Sequence, residues 1–206
     1  MPESKHSANE MKKIIRYVSV IAAVIGIGGT LYAQNSSTVT GVRADARVVL
    51  PMALQKLTPL NFGTLTWPSS GTGSATMSPN VSGFPTPQPP STTGGVTAVS
   101  QGSTDGQHTY GPGPATFLAK GENGFTFNLQ LPTSSIIIWE NGISSPTLTV
   151  DNFTSNLPGN VGTLTLAVPS ATVGTCQFMV GATVYVPTGA TSGWYSGDFP
   201  VTVAYN

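Results

Sequence analysis

The sequence predicts an all-β protein, an antiparallel β-sandwich of about ten strands, and three observations predict it. Short segments whose apolar and polar residues alternate with a period of two recur from residue 42 to the end of the chain. Turn-forming residues separate these segments, among 24 Gly and 17 Pro in 206 residues. After residue 33, no segment repeats apolar residues at helical spacing for two turns. Short strands between frequent turns are typical of a sandwich or a barrel.

The first predicted strand, residues 42–54, has an apolar face and a polar face. Val48 and Leu54 lie on the apolar face, and Arg43 and Arg47 alternate with it on the polar face. Shorter candidate strands follow at 60–66, 73–78 and 95–100.

The central strands are predicted at 115–119 and 125–131, joined by a hairpin turn at "KGENG". In the second of them, Phe125, Phe127 and Leu129 alternate with polar residues, which indicates one buried face. Four more strands, each closed by Gly, Asn or Pro, are predicted at 134–142, 145–153, 161–168 and 174–187.

The chain ends on a predicted strand at 199–205. Four apolar residues share one of its faces: Phe199, Val201, Val203 and Tyr205. Pro200 has no N–H to donate to a ladder, so we expect it to face solvent, a bulge or a sheet edge.

Two segments, residues 82–93 and 101–114, are too rich in Pro, Gly, Ser and Thr to pack a core. We predict that they are long surface loops of a single domain that spans 34–206. Loops on a rigid sheet often carry binding residues, and a solvated excursion without a function is the alternative.

Residues 1–33 are predicted to be a leader that contains a secretory signal peptide. Lys12, Lys13 and Arg16 precede an uncharged apolar stretch at 18–29. This stretch has the length of a signal core and is short for a membrane span of roughly 20 residues, so an uncleaved anchor is the alternative.

The small residue Ala33 offers a cleavage point before Gln34. Met11, directly before the two lysines, is the expected true start of translation. We therefore expect an exported protein with no membrane insertion once it is processed.

Charged residues are scarce, at 8% of the chain against about a quarter in a typical soluble domain. Beyond residue 33 there are four basic and six acidic residues, which gives a net charge of −2. Thr, Ser, Asn and Gln must therefore keep the surface in water. Four basic residues form no patch for phosphate groups, so we expect no nucleic-acid partner.

Cys176 is the only cysteine in the chain. It shares its predicted strand face with Phe178, Val180 and Val184, so we interpret it as a small buried hydrophobic residue. An intermolecular disulfide and a reactive nucleophile are the alternatives.

Four stretches of the chain resemble a bacterial secreted family known as domain of unknown function 4402: "ADARVVLPMALQKLTPLNFGTL", "PATFLAKGENGFTFNLQLP", "VGATVYVP" and "GWYSGDFPVTVAY". That family has a leading L-x-F-G-x-L motif and a closing G-x-Y-x-G-x-F-x-V-x-V-x-Y motif. The matching residues here are Leu60, Phe62, Gly63 and Leu65, and then Gly193, Tyr195, Gly197, Phe199, Val201, Val203 and Tyr205.

The family is distantly similar to spore-coat-U-type and archaic chaperone–usher pilin domains. The resemblance therefore implies an immunoglobulin-like or pilin-like sandwich, located in the periplasm, on the cell surface or outside a bacterium. Its motifs are structural and imply no activity. We expect Gly63 and Gly197 at bulges or positive-φ turns where a Cβ would clash, and Tyr195 and Phe199 in the core.

No catalytic, cofactor-binding or metal-binding set is predicted. His108 and Asp105 lie together in a predicted loop, but no G-x-S-x-G motif accompanies them. Glu140 and Asp151 near strand ends would be a glycosidase pair, yet six acids make one such pairing common by chance. One Cys and one His after residue 33 do not make a usual zinc site. We therefore expect neither an enzyme nor a cofactor.

Two functions remain. The first is a secreted, non-enzymatic structural or surface protein, such as a pilin-like fibre subunit, that associates with itself or with other surface proteins. The second is an adhesion module that binds glycans or surfaces through Trp67, Trp139, Trp194 and the long loops. Exposed tryptophans would favour the second, because flat rings stack on sugars whereas a structural subunit would bury them.

Overall fold

The computed structural model describes residues 41–80, 88–99, 111–140, 146–169 and 171–206. The predicted leader, with Met11 and the cleavage site between Ala33 and Gln34, lies outside the described residues, as do the parts 82–87 and 101–110 of the two predicted loops. Among the described residues, no helix has the length and apolar character needed to cross a membrane.

The chain divides into two units, Met1–Ala46 and Arg47–Asn206. The described part of the first unit, from residue 41, has no regular secondary structure. There, Arg43 Nε donates a hydrogen bond of 2.7 Å to Asp45 Oδ1.

The fold is all-β, and every strand pair is antiparallel, as the alternating pattern predicts. The described residues form fourteen strands: β1 (Ala53–Thr58), β2 (Thr64–Thr66), β3 (Thr72–Met77), β4 (Ser91–Thr93), β5 (Thr97–Val99), β6 (Ala115–Gly121), β7 (Thr126–Gln130), β8 (Ile136–Glu140), β9 (Thr147–Ser155), β10 (Val161–Thr163), β11 (Thr165–Leu166), β12 (Gly174–Pro187), β13 (Tyr195–Ser196) and β14 (Thr202–Tyr205). A 3₁₀ turn at Pro158–Asn160 is the one helical element in these ranges. Six strands have only two or three residues, and this explains why the sequence pattern predicts about ten.

A nine-stranded sheet is organised around β12, which is 14 residues long. The first half of β12 lies between β6 and β11, and its second half lies between β3 and β9. Strand β1 extends the sheet beyond β6, β4 extends it beyond β3, and β8 and β13 extend it beyond β9. One long strand therefore belongs to both halves of the sheet.

The first core lies between the first half of this sheet and a three-stranded sheet with the order β10-β7-β14. Phe178 of β12 is fully buried and stacks on Phe117 of β6, with ring centroids 5.4 Å apart. From the opposite sheet, Phe127 of β7 approaches Phe178 at 6.2 Å. Because the two layers bury their apolar faces against each other, the fold is the sandwich that the sequence predicts.

The second core covers the inner face of the other half of the large sheet. Val150 of β9 and Val184 of β12 are buried there. Leu65 of β2 and Tyr195 of β13 pack against them. Strand β2 pairs with β5 in a separate two-stranded sheet.

The first strand begins later than predicted, at Ala53 rather than at residue 42. Pro51 has no N–H for a ladder, and the N–H of Leu50 donates to the Glu122 carboxylate at 3.2 Å instead. Val48, expected on the buried face, has 94% of its surface exposed. Residues 47–52 are therefore an irregular segment that leads into β1.

Boundaries differ from the prediction elsewhere too: the strand predicted at 60–66 begins at Thr64, and the one predicted at 161–168 is divided into β10 and β11. The predicted loop at 82–93 ends in β4, because these β-compatible residues pair with β3 and the hydroxyl groups of Thr93 and Ser74 lie 2.9 Å apart. The terminal strand begins at Thr202 rather than at residue 199, and Pro200 is exposed ahead of the ladder.

Candidate functional site

The leading motif lies under both halves of the sandwich. Leu60 packs against both cores and Phe62 against the second. Gly63 has a φ of +75°, and its N–H donates to Asn61 Oδ1 at 2.8 Å. A Cβ at this position would lie 3.1 Å from Pro112 Cβ, so the turn and the close approach both favour glycine.

The closing motif also lies in the core. Phe199, Val201, Val203 and Tyr205 pack against the first core, and Tyr195 packs against the second. These residues are half-buried and hold the end of the chain in place against the two cores.

The two glycines of the closing motif lie against β8. A Cβ at Gly197 would be 2.9 Å from Ile138 Cγ2, and a Cβ at Gly193 would overlap the Glu140 carboxylate. The expected clash of a Cβ at Gly197 is confirmed, but neither glycine has a positive φ. At Gly197 the close approach of the backbone to β8 favours glycine, whereas at Gly193 the flexible Glu140 side chain could move to make room for a Cβ.

The three tryptophans are exposed, to 49% for Trp67, 41% for Trp139 and 38% for Trp194. Trp67 follows β2 in the two-stranded sheet. Trp139 is in β8, and Trp194 directly precedes β13, the partner of β8. The structure therefore brings two of the three tryptophans to one strand pair.

Extending the register of β13 to the residue directly before it places Trp194 on the same face of this strand pair as Trp139. Trp139 pairs with Ser196, and residues two apart along a strand point to the same side. Trp194 is therefore diagonal to Trp139, at a spacing of roughly 7–8 Å that aromatic side chains span. Ile137, two residues before Trp139, is 48% exposed. We call Ile137, Trp139 and Trp194 the aromatic edge.

Side chains with hydroxyl groups cover the sheet face next to the aromatic edge. Thr147 pairs with Trp139 and Thr149 with Ile137, and Tyr185 of β12 pairs with Thr149 from the other side. Two hydroxyl pairs with oxygen separations of 2.9 Å continue the face, Thr76 with Thr183 and Ser74 with Thr93. The surface around the aromatic edge is therefore polar but carries few charges.

A cleft of about 450 Å³ opens where Asp151 reaches this face, and it is lined by Pro132, Thr133, Ser134, Ser135, Asp151, Asn152 and Phe153. A β-bulge shapes it, because Asn152 and Phe153 of β9 together oppose Ala182 of β12. Asn152 has a φ of +52°, a conformation that asparagine tolerates better than most residues. We call this the Asp151 cleft.

Some polar atoms of the Asp151 cleft have hydrogen-bond partners and others do not. Within the described part of the chain, Asp151 Oδ1 is buried and has no hydrogen-bond partner. Nearby, Asn152 Nδ2 donates to the Tyr185 hydroxyl at 3.1 Å. Partial burial raises the pKa of Tyr185, and the negative charge of the Asp151 carboxylate and a hydrogen bond with it raise this pKa further. Tyr185 therefore remains a neutral hydroxyl group beside a carboxylate.

A second tyrosine lies beneath the aromatic edge. Burial raises the pKa of Tyr195, and the neighbouring Glu140 carboxylate adds to the effect. The Tyr195 hydroxyl donates to the Thr191 carbonyl oxygen at 2.9 Å. This bond ties the segment before β13 to the strand that positions Trp194.

The residues weighed for catalysis are not brought together within the described ranges. Glu140 is on the same face as Tyr195, which points into the second core, whereas Asp151 pairs with Thr183 on the outer face. Asp105 and His108 lie outside the described residues. In the described part of the chain, no three His, Cys, Asp or Glu side chains are grouped to hold a metal ion.

Sequence reasoning missed the Asp151 cleft, although one signal for it was present. In "TLTVDNF", strict alternation would place Asn152 on the apolar face with Leu148 and Val150. A polar residue at such a position indicates a bulge.

Comparison with known proteins identifies one family. The model of a family described as "Domain of unknown function (DUF4402)" matches residues 52–205. No curated protein and no solved structure matches the chain significantly.

Proposed function

Because the chain belongs to the DUF4402 family, whose description names no activity, we propose its function from its own surface: it is a secreted surface module that binds glycans through the aromatic edge. The observation that carries the proposal is the exposure of Trp139 and Trp194 on one face of the β8–β13 pair.

Leaving these side chains in water has a cost. Full burial of a large apolar side chain stabilises a fold by about 1.5–3 kcal/mol, and the aromatic edge leaves part of this stabilisation unused at three neighbouring positions. Contiguous exposed apolar groups with a polar surround usually mark an interaction site. Trp67 is exposed directly after β2, which belongs to another sheet, and one exposed aromatic residue is ordinary for a protein surface.

The surroundings of the aromatic edge favour a sugar over a protein partner. One face of a sugar ring carries C–H groups that pack on an indole ring, and its hydroxyl groups point sideways. Thr147, Thr149 and Tyr185 offer hydroxyl groups at the side of the aromatic edge, where a stacked sugar needs donors and acceptors. No described lysine or arginine lies on β8, β9 or β13, so the surface provides little for a charged partner.

The proposal assigns binding without catalysis and a location outside the cell. The signal-peptide pattern at 1–33 supports the location. The placement of Glu140 and Asp151 on opposite faces of the large sheet supports binding alone, because a glycosidase needs two carboxyl groups across one bond.

The test is a glycan array probed with the purified protein. We expect Trp139→Ala and Trp194→Ala each to lower the affinity for the bound glycan about tenfold or more, since central aromatic anchors carry most binding energy. Trp67→Ala is the matched control and should bind like the wild type. Absence of any bound glycan, or equal losses in all three variants, would overturn the proposal. Thermal unfolding of each variant establishes that it is folded.

A second candidate function, a self-associating structural subunit, is favoured by a groove in the first half of the sandwich. Among the described residues, β1 pairs with β6 alone and β14 with β7 alone, so each leaves one edge open. Between β1 and the segment before β14 lies a groove of about 290 Å³, whose apolar lining includes Leu54, Leu60, Phe117, Phe199 and Val201. A strand from a second copy, carrying an apolar residue such as Val48, would fit such a groove.

A further inference from the structure

We propose that the Asp151 cleft is a second sugar subsite, and that with the aromatic edge it forms one binding surface for a short, uncharged oligosaccharide. This inference rests on the proposed function and deepens it, because it specifies the charge of the ligand, its length and the atom that recognises it.

The first reason is the unsatisfied atom. Buried acceptors in folded proteins are almost always paired, yet Asp151 Oδ1 has no partner within the described ranges. The hydroxyl group of Thr183, which is opposite Asp151 on β12, is already paired with that of Thr76 at 2.9 Å. The Tyr185 hydroxyl already interacts with the Asp151 carboxylate, and Oδ1 itself is enclosed. A ligand hydroxyl that displaces the side chains covering Oδ1 would satisfy this atom, and an uncharged sugar carries many such donors.

The second reason is the composition of the cleft. Thr133, Ser134 and Ser135 bring hydroxyl groups, which both donate and accept, to the wall opposite Asp151 and Asn152. The volume of about 450 Å³ is within the range of small-molecule sites. Phe153 provides one apolar surface in the lining, so the cleft combines polar groups with a place for C–H groups.

The third reason is the rigidity of the position. The bulge in β9 places Asn152 out of the regular ladder, and its amide is fixed by the bond of 3.1 Å to the Tyr185 hydroxyl. A binding group that is held before the ligand arrives loses less conformational entropy on binding. Asp151 and Asn152 are therefore held in position before a ligand binds.

The charge in the cleft selects against acidic sugars. Among the described residues that line the cleft, Asp151 is the only charged one and none is basic. A uronic acid or a sulfated sugar would bring a second negative charge next to this carboxylate without a cation to offset it. The cleft therefore suits an uncharged sugar.

The distance between the aromatic edge and the Asp151 cleft favours an oligosaccharide over a single sugar. Thr147, the partner of Trp139, lies four residues before Asp151 on β9. At about 3.3 Å per residue, the aromatic edge and the Asp151 cleft are roughly 13 Å apart along the strand. A single sugar ring does not span this distance, whereas a short oligosaccharide does. Thr149 and Ile137 lie between the two subsites on the same face.

The experiment is calorimetric titration of the purified protein with tetrasaccharides of glucose, mannose, N-acetylglucosamine, galacturonic acid and glucosamine, and with the matching monosaccharides. We expect an uncharged tetrasaccharide to bind more tightly than its monosaccharide, with a Kd that is the same at low and high salt. Asp151→Asn should weaken the tetrasaccharide about tenfold, because a hydrogen bond to a charged acceptor is roughly twice as strong as a neutral one. It should leave monosaccharide binding at the aromatic edge unchanged.

Asp45→Asn, which removes an exposed carboxylate in the other unit of the chain, is the matched control and should bind like the wild type. A structural role for Asp151 would lower the thermal midpoint of Asp151→Asn, whereas a binding role leaves the midpoint unchanged or raises it.

If Trp139→Ala weakens binding of the tetrasaccharide and Asp151→Asn does not, the inference is wrong and the proposed function stands. Salt-sensitive preference for the glucosamine or galacturonic acid tetramer would overturn the uncharged ligand. If no sugar binds at all, the proposed function fails with it.

Discussion

The hydroxyl group of Tyr205 donates a hydrogen bond of 2.7 Å to the carbonyl oxygen of Leu50, a residue 155 positions earlier in the chain. The same hydroxyl accepts a hydrogen bond of 2.7 Å from the backbone N–H of Glu122. The Glu122 carboxylate in turn accepts bonds from the Leu50 N–H at 3.2 Å and from Arg47 Nη2 at 2.9 Å. One hydroxyl group on the last strand thus joins the segment before β1 to the turn after β6.

Tyr205→Phe removes both of these bonds and keeps the ring in place. We expect the free energy of unfolding to fall by about 1–2 kcal/mol, mainly because the partly buried Glu122 N–H loses its partner, whereas water can replace the bond to the exposed Leu50 carbonyl. Urea titration measures the loss. Tyr195→Phe is the matched control, since it removes one bond, to the Thr191 carbonyl, and we expect a smaller loss. Equal losses in the two variants would contradict the role given to Tyr205.

Cys176 should react slowly with alkylating reagents at neutral pH. It packs against the first core, and burial raises the pKa of its thiol above the ordinary value of 9.0. The folded state therefore favours the neutral thiol. The stabilisation of the folded state by the neutral thiol is fully present below the ordinary pKa of cysteine. It is lost as the pH rises through the raised pKa of Cys176 in the folded state. Iodoacetamide labelling from pH 7 to 10 should accelerate only toward the alkaline end.

The Cys176 side chain is half-buried rather than buried as we expected. We expect Cys176→Ser to leave the molecular mass in solution unchanged, because the thiol packs against the first core of its own chain. Non-reducing electrophoresis of the wild type and the variant checks this. A disulfide-linked dimer that is absent from the variant would show that the thiol is accessible.

Export should leave a protein that begins at Gln34, because Ala33 is the small residue that signal peptidases select. N-terminal sequencing of protein recovered from outside the cytoplasm measures this. An exported protein that still begins at Met1 or Met11 would show that the apolar stretch stays attached.

The mass of the mature protein in solution separates the two candidate functions. We expect a monomer that unfolds cooperatively, because the chain supplies its own closing strand β14. Sedimentation measured over a hundredfold range of concentration tests this. If larger species grow with concentration and Val48→Asp abolishes them, the second candidate gains support, since Val48 is the most exposed apolar residue next to the open edge of β1.

Most of the secondary structure could be predicted from the sequence, because every second residue of a strand with one buried face is apolar. The long strand β12 is predicted with its observed bounds of 174 and 187, and its alternating Phe178, Val180 and Val184 are all buried. The same rule fails at residues 42–52, where the alternation continues but Pro51 and the bond from Leu50 to Glu122 take the backbone out of the ladder.

The candidate site could be predicted only in part. The sequence identified the tryptophans, but only the pairing of Trp139 with Ser196 places Trp139 and Trp194 on one face and leaves Trp67 in another sheet. The prediction that Asp151 lies near a strand end was wrong, because Asp151 is in the middle of β9, and the sequence did not indicate that its Oδ1 is buried beside a bulge. Alternation is a local property, so it fixes which side of a strand a residue takes. Strand pairing and register join residues that are distant in sequence, and these long-range contacts alone decided which exposed residues became neighbours.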